Sequence, residues 1–191
     1  MRALASQRKT SDLFLAWENP FPPNEWWKNI QHKYEQMKSL AAGYDKVWIV
    51  ESDTIPPEDA LDKLHGIEAP VVSGLYALRH GQPVPNLMRV GDSPATGDAM
   101  TWPEVQSSWG KVIPISGGCM GCLLIDTAVL RGFSFINDAY PHAPDRPFMQ
   151  HCWSKGYKQM ARLDVICGHK KPGGDILWPD KEQGYRLEKA A

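Results

Sequence analysis

Apolar residues recur at helical spacing in Trp26, Ile30, Tyr34, Met37 and Ala41, which predicts one long helix with a single core-facing stripe. Asn24 stands where an N-cap would, Glu25 puts negative charge in the first turn, and Gly43 supplies the stop. The preceding Asn19-Pro20-Phe21-Pro22-Pro23 is a stiff turn that sets the helix apart from a partial N-terminal part, residues 1–23, in which residues 12–17 can supply a strand. Beyond Gly43 the period changes. Val47-Trp48-Ile49-Val50 is a short apolar run of the kind found in buried parallel strands, and it ends abruptly in Glu51-Ser52-Asp53. Pro56, Pro57, Glu58 and Asp59 then open a helix carrying Ala60, Leu61 and Leu64, and residues 71–76 read as another strand. Helix, strand, helix, strand in that order predicts an α/β sheet.

The second half is less regular. Residues 81–110 are rich in Gly, Pro, Ser and Asp without a clear period, and read as a long loop with room for a hairpin. Strands are expected at 111–115, 121–125 and 160–166, and a helix from Asp126 or Thr127 to Gly132. Asp145 is placed to cap a further helix over 146–155, which Gly156 ends. The polar stretch from Lys170 to the end either folds over the site or forms a mobile tail. No internal repeat or low-complexity segment interrupts the 191 residues, which are expected to form one domain with a substantial core.

Composition narrows the function classes more than the fold. A net charge of −1 leaves no basic footprint for nucleic acid. No apolar run approaches the ~18–20 residues of a membrane span, and the N-terminal residues lack a signal-peptide core, so a cytoplasmic location is expected. On that expectation Cys119, Cys122, Cys152 and Cys167 are reduced thiols. Cys119-x₂-Cys122 with Cys167-x-His169 also has the spacing of a Cys₃His zinc site. Against it, Met120, Leu123, Leu124 and Ile125 mark a buried strand, where a thiol acts as a small hydrophobe.

Two carboxylates, Glu51 and Asp53, follow a buried strand at i and i+2. Ligand sites in open α/β sheets lie beyond the carboxyl ends of strands, and carboxylates there can hold a hard divalent cation that neutralises phosphate oxygens. The alternative is that both merely turn the chain and cap the next helix. His169, just past another predicted strand and flanked by Gly168 and Lys170-Lys171, adds an imidazole and positive charge. An oxygen-rich site with one imidazole suits Mn²⁺, or Mg²⁺.

These segments together resemble family 2-like glycosyltransferases of the GT-A fold. Residues 44–57, YDKVWIVESDTIPP, resemble their element of hydrophobic strand, DxD triplet, proline and helix. Residues 117–125, GGCMGCLLI, are similar to their glycine-bearing acceptor-side segment and the strand after it. The stretch from Asp145 through Gly156-Tyr157 to Cys167-Gly168-His169 is similar to their late acidic residue, helix, Gly-Tyr, strand and His. The resemblance implies a GT-A-like mixed sheet flanked by helices, lacking the usual first strand because residues 1–7 look like the helix that follows it. It implies direct metal binding by Asp53 and His169, and for Glu51 a contact to the metal shell or to the ribose. Asp145 falls where inverting members carry their catalytic base, although an Asp before Arg-Pro is equally an ordinary N-cap.

The implied activity is a metal-dependent, inverting transfer of a sugar from a nucleotide-sugar donor to an acceptor hydroxyl, with Mn²⁺ or Mg²⁺ as cofactor. Arg79 and Lys170 are candidates for phosphate contacts. Gly117, Gly118, Trp102 and Trp109 are candidates for the acceptor side, loop anchoring being the alternative for the tryptophans. Two other readings stand beside this one: a non-catalytic binding protein of the same fold, favoured by the missing strand, and a zinc-stabilised interaction domain.

Overall fold

The amphipathic stretch forms helix α1 (Trp26–Leu40), flanked by 3₁₀ turns at Pro23–Glu25 and Ala41–Gly43. The structure is a computed structural model and describes residues 20–79, 81–91, 98–137, 143 and 145–190; the helix read at residues 1–7 and any strand from residues 12–17 lie outside them. Asn24 sits inside the leading 3₁₀ turn and does not cap α1. Asn29 fastens that end instead: its Nδ2 donates to the Phe21 carbonyl at 2.9 Å, and its Oδ1 accepts the Phe21 N–H at 3.0 Å. Trp26, expected on the core face, is 47% exposed, whereas Tyr34 is buried and Ile30 and Met37 pack on the core.

The apolar runs become strands of a five-stranded mixed sheet. Its members are β1 (Lys46–Val50), β3 (Val71–Leu75), β5 (Val112–Ile115), β7 (Cys122–Asp126) and β8 (Gln159–Ile166), in the order β1-β7-β3-β8-β5. β3 runs parallel to β8; β7 is antiparallel to both β1 and β3, and β5 to β8. Every residue of the central β3 is buried, as its unbroken Val-Val-Ser-Gly-Leu run demands. Tyr34 of α1 and Phe148 of α4 (Asp145–Ser154) cover one face with Ile49, Val71, Leu123 and Phe135. Against Val72, Leu124 and Val165 packs α2 (Ala60–His65), through Ala60, Leu61 and Leu64. The class is therefore α/β, a mixed sheet flanked by helices.

Three expectations are corrected. Residues 81–110 are not a bare loop: they hold β4 (Leu87–Met88), which pairs with β6 (Gly117–Gly118), and α3 (Trp102–Ser107), opened by a capping box from Thr101 and Glu104. The helix expected at 126–132 is a single 3₁₀ turn, Thr127–Leu130, because Gly132 turns the chain at φ 74° almost at once. The stretch from Lys170 is a meander. Strand β9 (Gly168–Lys170) pairs with both β2 (Thr54–Ile55) and β10 (Ile176–Asp180), and β10 pairs with β11 (Gly184–Glu188). The reason is local turn chemistry: the Asp180 carboxylate accepts the N–H groups of Glu182 and Gln183, both at 2.9 Å, and Gly184 follows with φ 84°.

Gly74 leaves the middle of β3 bare, and the thiols of Cys122 and Cys167 meet over the gap. A Cβ at Gly74 would lie 2.9 Å from Cys122 Sγ and 3.3 Å from Cys167 Sγ. Gly74→Ala is expected to cost ~1–3 kcal/mol, the range for overpacking a filled core. Gly74→Ala combined with Cys122→Ala should cost clearly less than the sum of the single changes, because each volume change relieves the other. Chemical denaturation of the four proteins in this cycle checks the coupling, and strict additivity would refute it.

Candidate functional site

The carboxyl end of β1 meets the second sheet at one turn. Glu51 still pairs with the main sheet, its N–H donating to the Gly121 carbonyl at 3.2 Å, and the turn closes with Thr54 N–H on the Glu51 carbonyl at 3.0 Å. Thr54 then stands opposite His169 in the β2–β9 pair, and Lys170 N–H donates to the Asp53 carbonyl at 2.7 Å. Backbone pairing thus carries Asp53 and His169 to one point, with Asp53 Oδ2 3.7 Å from His169 Nε2. Beyond β3 the chain passes the same point: the Ala77 carbonyl accepts from His169 Nδ1 at 2.7 Å, and Arg79 Nη1 donates to Asp53 Oδ2 and, at 2.8 Å, to the Lys170 carbonyl. The Ala77 carbonyl only accepts, so Nδ1 is a donating N–H and Nε2 is the ring atom that faces Asp53.

Two tyrosines support this corner, and neither was singled out from the sequence for chemistry. Tyr34 donates its hydroxyl to Glu51 Oε1 at 2.6 Å. Tyr76 accepts the Gly121 N–H at 2.9 Å and sets its ring edge-on to His169, with centroids 5.3 Å apart. The available signal was a tyrosine where a core stripe needs only an apolar ring, since a buried phenol requires a partner. Gly121 has its own reason: a Cβ there would come within 2.6 Å of the Tyr76 ring and 2.8 Å of Thr54 Oγ1. Asn86 was missed too. Fully buried, it caps the end of β3, accepting from Tyr76 N–H at 2.9 Å and donating to the Gly74 carbonyl at 3.0 Å.

Asp145 is not the N-cap that was expected but the first residue of α4, and its carboxylate takes a hydrogen bond from the Cys119 thiol. Burial and then the Asp145 charge push that thiol well above its ordinary range, so Cys119 is a neutral donor and not a nucleophile. Burial would raise Asp53 as well, but the His169 ring and the Arg79 guanidinium outweigh it and hold the carboxyl below its ordinary value. Glu51 goes the other way. Burial raises it, the Tyr34 hydroxyl only partly offsets this, and the charges of Asp53 and Asp145 push it further up. Burial also raises Tyr34 and Tyr76 well above the ordinary phenol value, so both stay protonated.

The remaining candidates lie elsewhere or act differently. Among the described residues Lys170 joins through its backbone, with an exposed side chain. Gly117 and Gly118 are buried, and their missing side chains make room for Met149 of α4 and Ser73 of β3. Trp102 packs on Gly184 and Tyr185 and donates its indole N–H to the Pro83 carbonyl at 2.8 Å; Trp109 packs on the core beneath α3. Both tryptophans pack against the core cluster that includes Val105 and Leu163. All four cysteines are free thiols. Among the described residues no three His, Cys, Asp or Glu side chains gather as a metal cage, so neither the Cys₃His set nor Glu51 with Asp53 and His169 forms one. An open cleft of about 430 Å³ lies at the far end of β1, between Tyr44, Lys46, Asp126 and Arg131, away from this corner.

The raised Glu51 carboxyl makes a pH-dependent prediction. The folded state holds that proton more tightly than the unfolded chain does, so this contribution to stability is full below the ordinary glutamate pKa of about 4.3 and is lost as pH rises through the folded value. Glu51→Gln should therefore raise Tm near neutrality and leave it almost unchanged in acid. Melting curves across that range check it; a uniform loss of Tm at every pH would count against a strained Glu51.

The comparisons with known proteins bear on the fold and overturn the family expectation. No protein-family model and no curated protein matches this chain. Among solved structures it is similar to the crystal structure of A197 from STIV, at 15% identity and a TM-score of 0.57, covering 85% of this chain and 77% of that one. The family 2-like resemblance read from the three motifs is therefore withdrawn. An acidic turn after a strand, a packed glycine pair and a histidine on a strand are local solutions that unrelated α/β chains reach independently. What is shared with A197 from STIV is the fold.

Proposed function

We propose that this corner binds the diphosphate of a nucleotide-sugar donor with a divalent cation, and that the chain, as a GT-A-like domain, transfers the sugar to an acceptor hydroxyl. The observation carrying this reading is the facing pair Asp53 Oδ2 and His169 Nε2, 3.7 Å apart, with His169 Nδ1 committed to the Ala77 carbonyl. An imidazole whose second nitrogen is fixed by a carbonyl is oriented as metal-ligating histidines are. A Mg²⁺-type ion needs only one or two protein donors when phosphate and water complete its shell, so a pair such as Asp53 and His169 is enough for a nucleotide-borne cation. Asp53 and His169 are the residues that would hold Mn²⁺ or Mg²⁺. When bound, such an ion supplies Lewis-acid stabilisation of the departing diphosphate.

The chain's own residues supply the rest. Arg79 lies against Asp53, where its guanidinium can reach phosphate oxygens. Glu51, steadied by Tyr34, faces the donor as a contact for a ribose hydroxyl. Asp145 is the general base: as the acceptor oxygen forms its bond to the anomeric carbon and the bond to the diphosphate breaks, the hydroxyl proton passes to the Asp145 carboxylate. Cys119 orients that carboxylate with a neutral thiol and adds no competing charge.

Calorimetry with UDP and GDP should show tighter binding with Mn²⁺ than with a chelator, and Asp53→Ala should abolish most of that difference while keeping the fold. Equal binding with and without metal in the native protein would remove the cation from the proposal. Asp145→Asn should retain donor binding and lower nucleotide release by ~10²–10⁴-fold, the range for losing a general base. Unchanged release would take Asp145 out of the mechanism. Nucleotide binding without turnover on any donor would instead favour a non-catalytic binding protein.

A further inference from the structure

Asp53 Oδ2 already has a cation against it. Arg79 Nη1 donates to that oxygen and to the Lys170 carbonyl, while His169 Nε2 faces the same oxygen from 3.7 Å. Both Arg79 contacts use Nη1, so the rest of the guanidinium carries no hydrogen bond to a described residue. A divalent ion held by Asp53 and His169 would share one carboxylate with a guanidinium, and like charges in contact are costly where both side chains are about 27% exposed. A diphosphate changes the balance. It offers the planar fork paired oxygens of greater charge than Asp53, which the fork can engage with two nitrogens at once.

We infer that Arg79 is an exchangeable counter-ion of Asp53: it occupies the acidic corner in the empty protein and moves to the diphosphate when ligand arrives, releasing Asp53 for the divalent cation. The inference rests on the function proposed above and adds a linkage to it. Cation and diphosphate then bind with positive coupling set at residue 79, because each removes an obstacle to the other. Linkage makes that coupling reciprocal. Arg79 acts on the cation through Asp53, so it is a positioning residue for the metal and a direct contact for phosphate.

The test titrates Mn²⁺ alone, inorganic pyrophosphate alone, and Mn²⁺ at saturating pyrophosphate into native protein, Arg79→Gln and Arg79→Lys, with melting curves to confirm folding. In native protein pyrophosphate should tighten Mn²⁺ by ~5–150-fold, the usual span of coupling between sites. Arg79→Gln should bind Mn²⁺ alone ~5-fold or more tightly than native protein, bind pyrophosphate alone more weakly, and lose most of the coupling. Arg79→Lys keeps the charge without the fork and should fall between, which preserves the comparison if the Gln variant folds poorly. A residue that merely props the loop would weaken both ligands or neither. Mn²⁺ affinity unchanged or lowered in Arg79→Gln, with coupling intact, overturns the exchange while leaving the proposed function standing. Native protein that binds neither Mn²⁺ nor pyrophosphate overturns both.

Discussion

The site depends on the short antiparallel pairing of β2 with β9. Two residue pairs, Thr54 with His169 and Ile55 with Gly168, join the strand end that carries the acidic turn to the segment that carries the imidazole. The Asp53 carbonyl receives the next N–H along, from Lys170, so the pairing continues into the turn itself. Because side chains alternate on a strand, a slip of one residue would turn His169 away and set Gly168 or Lys170 in its place. Gly168 guards the register: a Cβ there would come within 2.8 Å of the Trp178 ring on β10.

Around that junction the fold separates rigid support from exposed chemistry. Tyr76 leaves β3 with its hydroxyl under Gly121 and its ring against His169, so one core residue ties β7, β3 and β9 together. Tyr34 does the same from α1, packing on Phe135 at 5.0 Å while its hydroxyl holds Glu51. The carboxylates are consequently unequal. Asp53 is matched by the Arg79 guanidinium, whereas the hydrogen-bond partner of the buried Glu51 is the neutral Tyr34 hydroxyl. A glutamate that strains the fold in this way is a stability cost of the kind found where a site needs charge it cannot fully solvate.

Much of this was legible in the chain, for identifiable reasons. Continuous apolar runs located β3 and β7, which are covered on both faces and do not alternate. β8 showed instead as an alternating run, and residues 47–50, expected as a buried parallel strand, are a half-exposed edge strand antiparallel to β7. Glu51, Asp53 and His169 were found because charged groups at strand ends are conspicuous. Their arrangement was not legible: nothing in a linear pattern says that Arg79 meets Asp53 or that Tyr34 meets Glu51, contacts fixed by crossovers between distant segments. The packing role of Gly117 and Gly118 was not legible either, because a glycine required by a neighbouring Met149 or Ser73 looks the same in sequence as one that admits a ligand. The strands after Lys170 were not legible for want of a strong period, although Asp180 and Gly184 already specified their turn.

The spacing of these contacts along the chain also orders events during synthesis. Glu51 and Asp53 leave the ribosome more than a hundred residues before His169, yet Asp53 and Arg79 are separated by only 26. A nascent chain therefore carries its own counter-charge for the acidic turn from an early stage. The imidazole is added once β9 has emerged between β2 and β10, so assembly of the corner is postponed until the sheet that frames it can close.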